Sequence, residues 1–185
     1  MAVKTYKPTE KTNLSAHFAI SEFACKCGKS HNTMIDSNLV DKLEELRDAL
    51  HCSKIVINSG YRCSAHDKAV GGSGAGQHTK GTAADIVCYD KDGKKISSKI
   101  VSCAAQDIGF NGIANINSSY TATHVDVGNR RWYGDETITS SRSVTDDFYN
   151  HYGLTRSDVY GTRSKSITLT IDGVTYSGTL EEVNK

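Results

Sequence analysis

Three side chains have the types and surroundings that a metal site needs: His78, Asp85 and His124. Asp85 lies inside an apolar run of strand length, residues 82–89, where an ionised carboxylate is costly unless it is paired or binds a metal. His124 lies in a short apolar strand with Asp126 two positions later, and the two-residue period of a strand puts both side chains on one face. Two imidazoles and a carboxylate are ligands that Zn²⁺ accepts, with a fourth position open for water. The spacing alone also allows a structural interpretation, in which Asp85 accepts hydrogen bonds from loop amides and His124 pairs with Asp126.

A second group of possible ligands lies nearer the amino terminus, where Cys25, Cys27 and His31 occur within CKCGKSH. The two thiols are one residue apart, and no second cysteine pair follows at the spacing of a zinc finger. We therefore interpret the segment as a turn with two thiols rather than as a structural metal site. Cys88 and Cys103 lie in apolar segments, where a free thiol packs as a small hydrophobic side chain. Most of the cysteines are expected to be reduced.

Helix and strand patterns surround the candidate ligands. Leu39, Leu43, Leu46 and Leu50 recur at helical spacing after a possible cap at Asp36, which predicts an amphipathic helix. Further predicted elements are strands at 54–58, 82–89 and 123–127 and a helix from 96 that stops at Gly109. This mixture of elements predicts an α+β fold. The glycine-rich loop at 71–81 is no phosphate-binding loop, because no GK[ST] follows it.

The two ends of the chain look different from its middle. Residues 1–15 are polar, which predicts an arm that lies on the surface or is disordered. Residues 128–166 are polar and irregular, and 167–180 predict a β-hairpin around Asp172-Gly173. We therefore divide the chain into an arm at 1–12, a domain at 13–140 and an extension at 141–185 that ends in the hairpin. Because isolated hairpins are marginal, we expect this one to pack on its own domain.

The composition excludes several classes of protein. Of the 185 residues 37% are hydrophobic and 23% charged, which is typical of a globular protein with a real core. The formal net charge is +1, too balanced for a protein that binds nucleic acid through its phosphates. No stretch approaches the roughly 18 apolar residues of a membrane span, and the first residues lack the apolar core of a signal peptide. We expect a monomer made in the cytoplasm, which something else must deliver if it acts elsewhere.

Three ordered motifs resemble the zinc D-Ala-D-Ala carboxypeptidases and peptidoglycan endopeptidases of the peptidase M15 family. They are SGYRC at 59–63, GQHTKGTAADI at 76–86 and HVDVGNRRW at 124–132, and the resemblance covers roughly residues 13–133. It implies a small α+β zinc peptidase domain with a central antiparallel sheet flanked by helices. It also implies one Zn²⁺ per chain, bound by His78, Asp85 and His124, the same residues that the burial argument selects.

The resemblance extends to the substrate and its binding residues. It implies that Arg62 lies beside the metal and holds a substrate carboxylate or a polarised carbonyl, for which a guanidinium offers a planar fork of donors. Tyr61 and Trp132 are expected to line the cleft. The implied substrate is a peptide bond in peptidoglycan, in a stem or cross-link next to a D-amino acid, cut by a carboxypeptidase or an endopeptidase. A phage or prophage lysin is a setting consistent with the missing signal peptide.

The sequence departs from much of the family at the general base. Many M15 enzymes have an Asp or Glu three residues before the third ligand, and here that position is Thr121, which cannot act as a base near neutral pH. We favour Asp126 as the catalytic base, since it is two residues from His124 on the same face of a strand. Its rival role is to accept the N–H of a ligating imidazole and so to orient it.

Two other classes of function stay open at this point. One is a metal-binding module that recognises the cell wall without cleaving it. The other is a virion structural protein that docks through residues 141–185. Hydrolysis of peptidoglycan by the metal-loaded but not the chelated protein would distinguish an enzyme from either.

Overall fold

A computed structural model describes residues 3–137, 143–161, 164–172 and 174–181. The strands are β1 (Val3–Tyr6), β2 (Thr33–Asp36), β3 (Lys54–Ser59), β4 (Ala83–Tyr89), β5 (Gly112–Asn115), β6 (Thr123–Asp126), β7 (Trp132–Asp135), β8 (Ser164–Ile171) and β9 (Val174–Glu181). The helices are α1 (Ser37–Ala49), α2 (Ser64–Ala69), α3 (Ser98–Ile108), α4 (Phe148–Tyr152) and α5 (Arg156–Tyr160). The predicted α+β class is confirmed.

The central sheet has the strand order β3-β4-β6-β5-β7. Neighbouring strands are antiparallel except β5 and β7, which are parallel, so the sheet expected to be antiparallel is mixed. The reason is the short reversal after β6. Gly112 at the start of β5 lies opposite Asp126, the last residue of β6, and opposite Trp132, the first residue of β7. The chain therefore passes around the start of β5 and returns on its other side.

The two helices predicted from leucine and isoleucine spacing form as expected. Asp36 caps α1 by accepting a hydrogen bond from the Asn38 N–H, and Leu39 and Leu43 on its apolar face are fully buried. Helix α3 ends at Gly109, whose positive φ of 84° suits a glycine at a helix terminus. Both helices pack against each other, and α3 also packs on the central sheet. Within the described part of the chain, no helix has the length and apolarity needed to cross a membrane.

The amino-terminal arm is more ordered than its composition suggested. Strand β1 pairs antiparallel with β2, Val3 opposite Asp36 and Tyr6 opposite Thr33. The first three residues of β1 are exposed. The arm thus lies on the surface as a strand, because backbone hydrogen bonds to β2 hold a segment that has few apolar residues of its own.

The polar sequence after residue 128 predicted an irregular region, but the structure shows regular elements there. It contains β7, α4 and α5, and Phe148 and Val159 of the two helices belong to the main hydrophobic core. These elements have four or five residues each, too few for a periodic apolar pattern to show. The predicted domain boundary after residue 140 falls within 138–142, outside the described residues.

The predicted hairpin is present. Strands β8 and β9 pair antiparallel, with Ile171 opposite Val174 next to the turn. Asp172 has a positive φ of 49°, as two-residue hairpin turns require. Gly173, the other predicted turn residue, lies outside the described residues.

Candidate metal centre

The three predicted ligands come from adjacent elements and meet at one point. His78 begins a short 3₁₀ turn, His78–Lys80, which follows the glycine-rich loop. Asp85 on β4 lies directly opposite His124 on β6 in the antiparallel register. Residues that face each other across such a pair project to the same side of the sheet. The strand pairing therefore holds Asp85 and His124 side by side, and the 3₁₀ turn adds the second imidazole.

The interatomic distances suit a small divalent cation. His124 Nδ1 lies 3.0 Å from Asp85 Oδ1 and 3.2 Å from His78 Nε2, and His78 Nε2 lies 3.2 Å from Asp85 Oδ1. Metal–ligand bonds of about 2.0–2.1 Å in a tetrahedral site would place such atoms about 3.3 Å apart. Small side-chain shifts are enough to match that geometry.

The outer nitrogens of both imidazoles have acceptors that fix their orientation. His78 Nδ1 lies 2.7 Å from the Gly60 carbonyl oxygen, and His124 Nε2 lies 3.2 Å from Asp126 Oδ2. When each outer N–H donates a hydrogen bond to these acceptors, His78 Nε2 and His124 Nδ1 keep their lone pairs free and face Asp85. The residues present therefore fit a zinc ion.

Without a metal, the charges of this group stabilise one another. Burial alone would raise the pKa of Asp85, but hydrogen bonds with His124 and His78 outweigh it and hold that pKa well below its usual range. Burial lowers the pKa of His124, but hydrogen bonds with Asp126 and Asp85 outweigh it and raise that pKa to about 9. A cation bound here would replace the proton on His124.

Arg62 lies beside the group, but its guanidinium is engaged by the protein. It donates from Nη2 to Asp85, from Nη1 to Asp67 Oδ1 at 3.3 Å, and from Nε to Ser59 Oγ at 2.7 Å. Its side chain is 16% exposed. Every nitrogen of the fork thus has an acceptor within the protein, and one of them is the candidate ligand Asp85.

Asp126, predicted as the catalytic base, lies behind the group. Its side chain is fully buried, Oδ2 contacts His124 Nε2, and Oδ1 accepts a hydrogen bond from the Gly128 N–H at 2.9 Å. Burial raises the pKa of Asp126, and the hydrogen bond with His124 outweighs that effect and lowers it. The contacts are those of a carboxylate that orients an imidazole.

A cleft of about 390 Å³ opens in front of the three ligands. Trp132 lines it with its indole 6.3 Å from the His124 ring, and Arg130 stacks 5.3 Å from the indole with its side chain 49% exposed. Glu136 lies at the exposed rim. Partial burial and the negative charge of Asp85 raise the pKa of Glu136. A larger depression of about 490 Å³ lies along β3 and includes none of the three ligands.

A comparison with protein families identifies the family of the chain. The profile described as Peptidase M15 matches residues 16–126, more than half of the chain. The chain belongs to the peptidase M15 family. M15 proteins are zinc-dependent metallopeptidases, and all three candidate ligands lie within the matched segment. A search of curated proteins found no match.

Only some of the remaining predicted residues of this M15 chain line the cleft. The described residues that line the cleft include Arg62 and Trp132 but not Tyr61. Burial and the nearby Cys63 thiol raise the pKa of Tyr61. Thr121 follows the turn at 118–119, and its N–H donates to Asn117 Oδ1 at 3.0 Å. Glu136 was not predicted from the sequence, since only the parallel pairing of β7 with β5 brings that residue to the cleft.

Proposed function

We propose that this M15 chain hydrolyses peptide bonds in bacterial peptidoglycan, next to a D-amino acid, with one zinc ion held by His78, Asp85 and His124. The observation that supports this best is the convergence of two imidazoles and one carboxylate at the floor of an open cleft. Two nitrogens and one oxygen leave a fourth zinc position for water or substrate, as in catalytic rather than structural sites.

The protein residues have separate tasks around the ion. Gly60 and Asp126 orient the imidazoles of His78 and His124, so that His78 Nε2 and His124 Nδ1 face the ion together with Asp85. When bound, zinc polarises the scissile carbonyl and acidifies the attacking water. Arg62 holds Asp85 in place through its guanidinium.

Proton transfer is assigned to Glu136 rather than to Asp126. Both oxygens of Asp126 are engaged within the protein and its side chain is fully buried, which favours the orienting role. Glu136 lies at the cleft rim with a raised pKa, which moves it toward the range where a carboxylate exchanges protons efficiently near neutral pH. It accepts the proton of the attacking water and passes it to the leaving amine.

A substrate carboxylate is assigned to Arg130 rather than to Arg62. The Arg62 donors already serve Ser59, Asp67 and Asp85. Arg130 lies in the same cleft, half exposed above Trp132, and its Nη2 lies 3.8 Å from Asp126 Oδ2, too far for a hydrogen bond. A planar guanidinium in this position can bind a carboxylate of a peptidoglycan stem with two hydrogen bonds.

Digestion of purified peptidoglycan, followed by mass spectrometry of the products, tests the reaction. The zinc-loaded protein should release peptides whose new termini identify the bond cut, and the chelated protein should release none. Glu136→Gln should keep its zinc and lose at least 100-fold in kcat, the usual contribution of a positioned general base. Asp126→Asn should instead bind zinc about 10–100-fold more weakly. A zinc-loaded wild type that binds peptidoglycan and releases nothing would contradict the proposal and favour a recognition module.

A pair of arginine variants tests the substrate contact. Arg130→Ala should raise KM roughly 10–100-fold, because a charge-assisted hydrogen bond is worth about 1.5–3 kcal/mol. Arg62→Ala should instead lower zinc affinity, since Asp85 loses the donor that positions it. Equal KM values for Arg130→Ala and wild type would rule out this role for Arg130.

A further inference from the structure

A second group of metal-ligating side chains lies outside the cleft. It consists of Cys25, Cys27, His31 and Cys63, named here the cysteine cluster. One possible ligand atom from each residue lies within 4.8 Å of those of the other three. The fourth member was not apparent from the sequence, because Cys63 follows the SGYR turn and is 36 positions from Cys27.

Local structure brings the four side chains together. Gly28 follows Cys27 with a positive φ of 77°, so the chain reverses there and brings His31 Nε2 within 3.0 Å of Cys27 Sγ. Cys63 immediately precedes α2, and its backbone N–H donates to Cys25 Sγ at 3.3 Å. All four residues are partly buried.

We propose that the cysteine cluster binds a structural Zn²⁺, separate from the ion of the cleft. Three thiolates and one imidazole are a closed tetrahedral set that zinc takes in structural sites, with no open position for water. Zinc–sulfur bonds of about 2.3 Å place tetrahedral sulfurs about 3.8 Å apart, within the spread of the cluster. The other cysteines contrast with this arrangement, since Cys52, Cys88 and Cys103 are buried in the apolar core.

The position of the cluster indicates what the ion would stabilise. It joins the segment 25–31 to residue 63, directly after Arg62. The same turn is held by hydrogen bonds from Tyr61 N to Phe23 O at 2.8 Å and from Arg62 N to His78 O at 3.2 Å. The ion therefore fastens the turn that carries Arg62 and contacts the backbone of His78. This inference does not rest on the proposed reaction.

Metal counting separates the two sites. Wild type should contain two zinc ions per chain. His78→Ala/His124→Ala should retain the zinc of the cysteine cluster. Cys27→Ser/Cys63→Ser should lose that zinc and retain the zinc of the cleft. Cys103→Ala, a matched control in the core, should retain two. Close to one zinc in wild type and none in His78→Ala/His124→Ala would overturn the proposal and leave the cleft site intact.

Cobalt identifies the ligands spectroscopically. Co²⁺ bound to His78→Ala/His124→Ala should show thiolate-to-cobalt charge-transfer absorption, which the cleft site cannot give because it has no sulfur. Absence of that band would overturn the proposal. His31→Ala should weaken Co²⁺ binding at least tenfold. His66 also lies near the cluster, with its Nδ1 3.4 Å from Cys25 Sγ, but His66→Ala should keep the ion. The opposite ranking would remove His31 from the ligand set.

A measurement on wild type avoids variants that fail to fold. Cys25, Cys27 and Cys63 should resist alkylation in the metal-loaded protein and react after chelation, as read by peptide mass spectrometry. Equal alkylation in both states, or a disulfide among these three residues in the freshly purified protein, would overturn the proposal.

Discussion

Gly112 lies directly against the Asp126 carboxylate, where a Cβ atom would overlap its oxygens. Gly112→Ala should therefore displace Asp126 from His124 and lower zinc affinity about 10–100-fold, the usual effect of losing a partner of a metal-bound imidazole. Isothermal titration calorimetry with Zn²⁺ would measure the zinc affinity of both proteins. Gly76→Ala is the matched control, since its Cβ meets only side-chain atoms at 3.8 Å or more. Unchanged affinity in Gly112→Ala would mean that Asp126 does not orient His124.

Single residues could be predicted from the sequence where burial made them costly. Asp85 in an apolar strand needs a partner, and the two-residue period relates His124 to Asp126, so these positions follow from local rules. Glu136 and Cys63 could not be found in this way. Each comes near its neighbours only through contacts between distant parts of the chain, which no local spacing records.

One buried carboxylate joins strand β7 to helix α4. Asp135 is 1% exposed and accepts hydrogen bonds from Asn115 Nδ2 at 3.1 Å, Thr137 Oγ1 at 2.6 Å and Tyr152 Oη at 3.0 Å. Asp135→Ala leaves these neutral donors without their acceptor and should destabilise the protein by about 1–3 kcal/mol for each buried donor left unpaired. Urea denaturation would measure the loss. Asp92→Ala, at an exposed turn, should change stability by no more than about 0.5 kcal/mol.

The same carboxylate predicts a response to acid. Burial raises the pKa of Asp135, but hydrogen bonds from Thr137 and Asn115 outweigh it and lower that pKa to about 2. A depressed pKa stabilises the folded state above the unfolded value of about 3.9, and that stabilisation is lost as pH falls through about 2. The free energy of unfolding should therefore fall less steeply between pH 4 and pH 2 in Asp135→Ala than in wild type. Parallel curves would contradict this assignment.

The elements that the sequence predicted well are those whose own pattern determines them. Helices α1 and α3 have apolar residues at helical spacing and capping residues at their ends. By contrast, β7 and α4 are held by Asp135 and by the stacking of Phe148 on Tyr133 at 5.1 Å, which are interactions with other elements. The parallel orientation of β7 likewise cannot be predicted from a local sequence pattern.

For the whole molecule, the cleft ligands link stability to pH and metal. The pKa of His124, about 9 without metal, is above its unfolded value of about 6.5. A raised pKa stabilises the fold fully below about pH 6.5, and that stabilisation is lost as pH rises through about 9. The metal-free protein should lose about 1–3 kcal/mol over this range, whereas saturating zinc should remove the loss because it replaces the proton. Melting temperatures from pH 6 to 9.5, with and without zinc, would measure both. A metal-free protein whose stability rises with pH would contradict the prediction.

The register that sets Asp85 opposite His124 also has a kinetic consequence. The two residues are 39 positions apart in sequence, and β5 lies between β6 and β7 in the finished sheet. The entropy of closing that long loop must be overcome before both ligands are in place. Because zinc needs both ligands, we expect it to bind after the sheet has ordered, and so to slow unfolding far more than it accelerates refolding. We therefore expect a newly made chain to fold without help from this ion and, once loaded with zinc, to be protected mainly by slow unfolding.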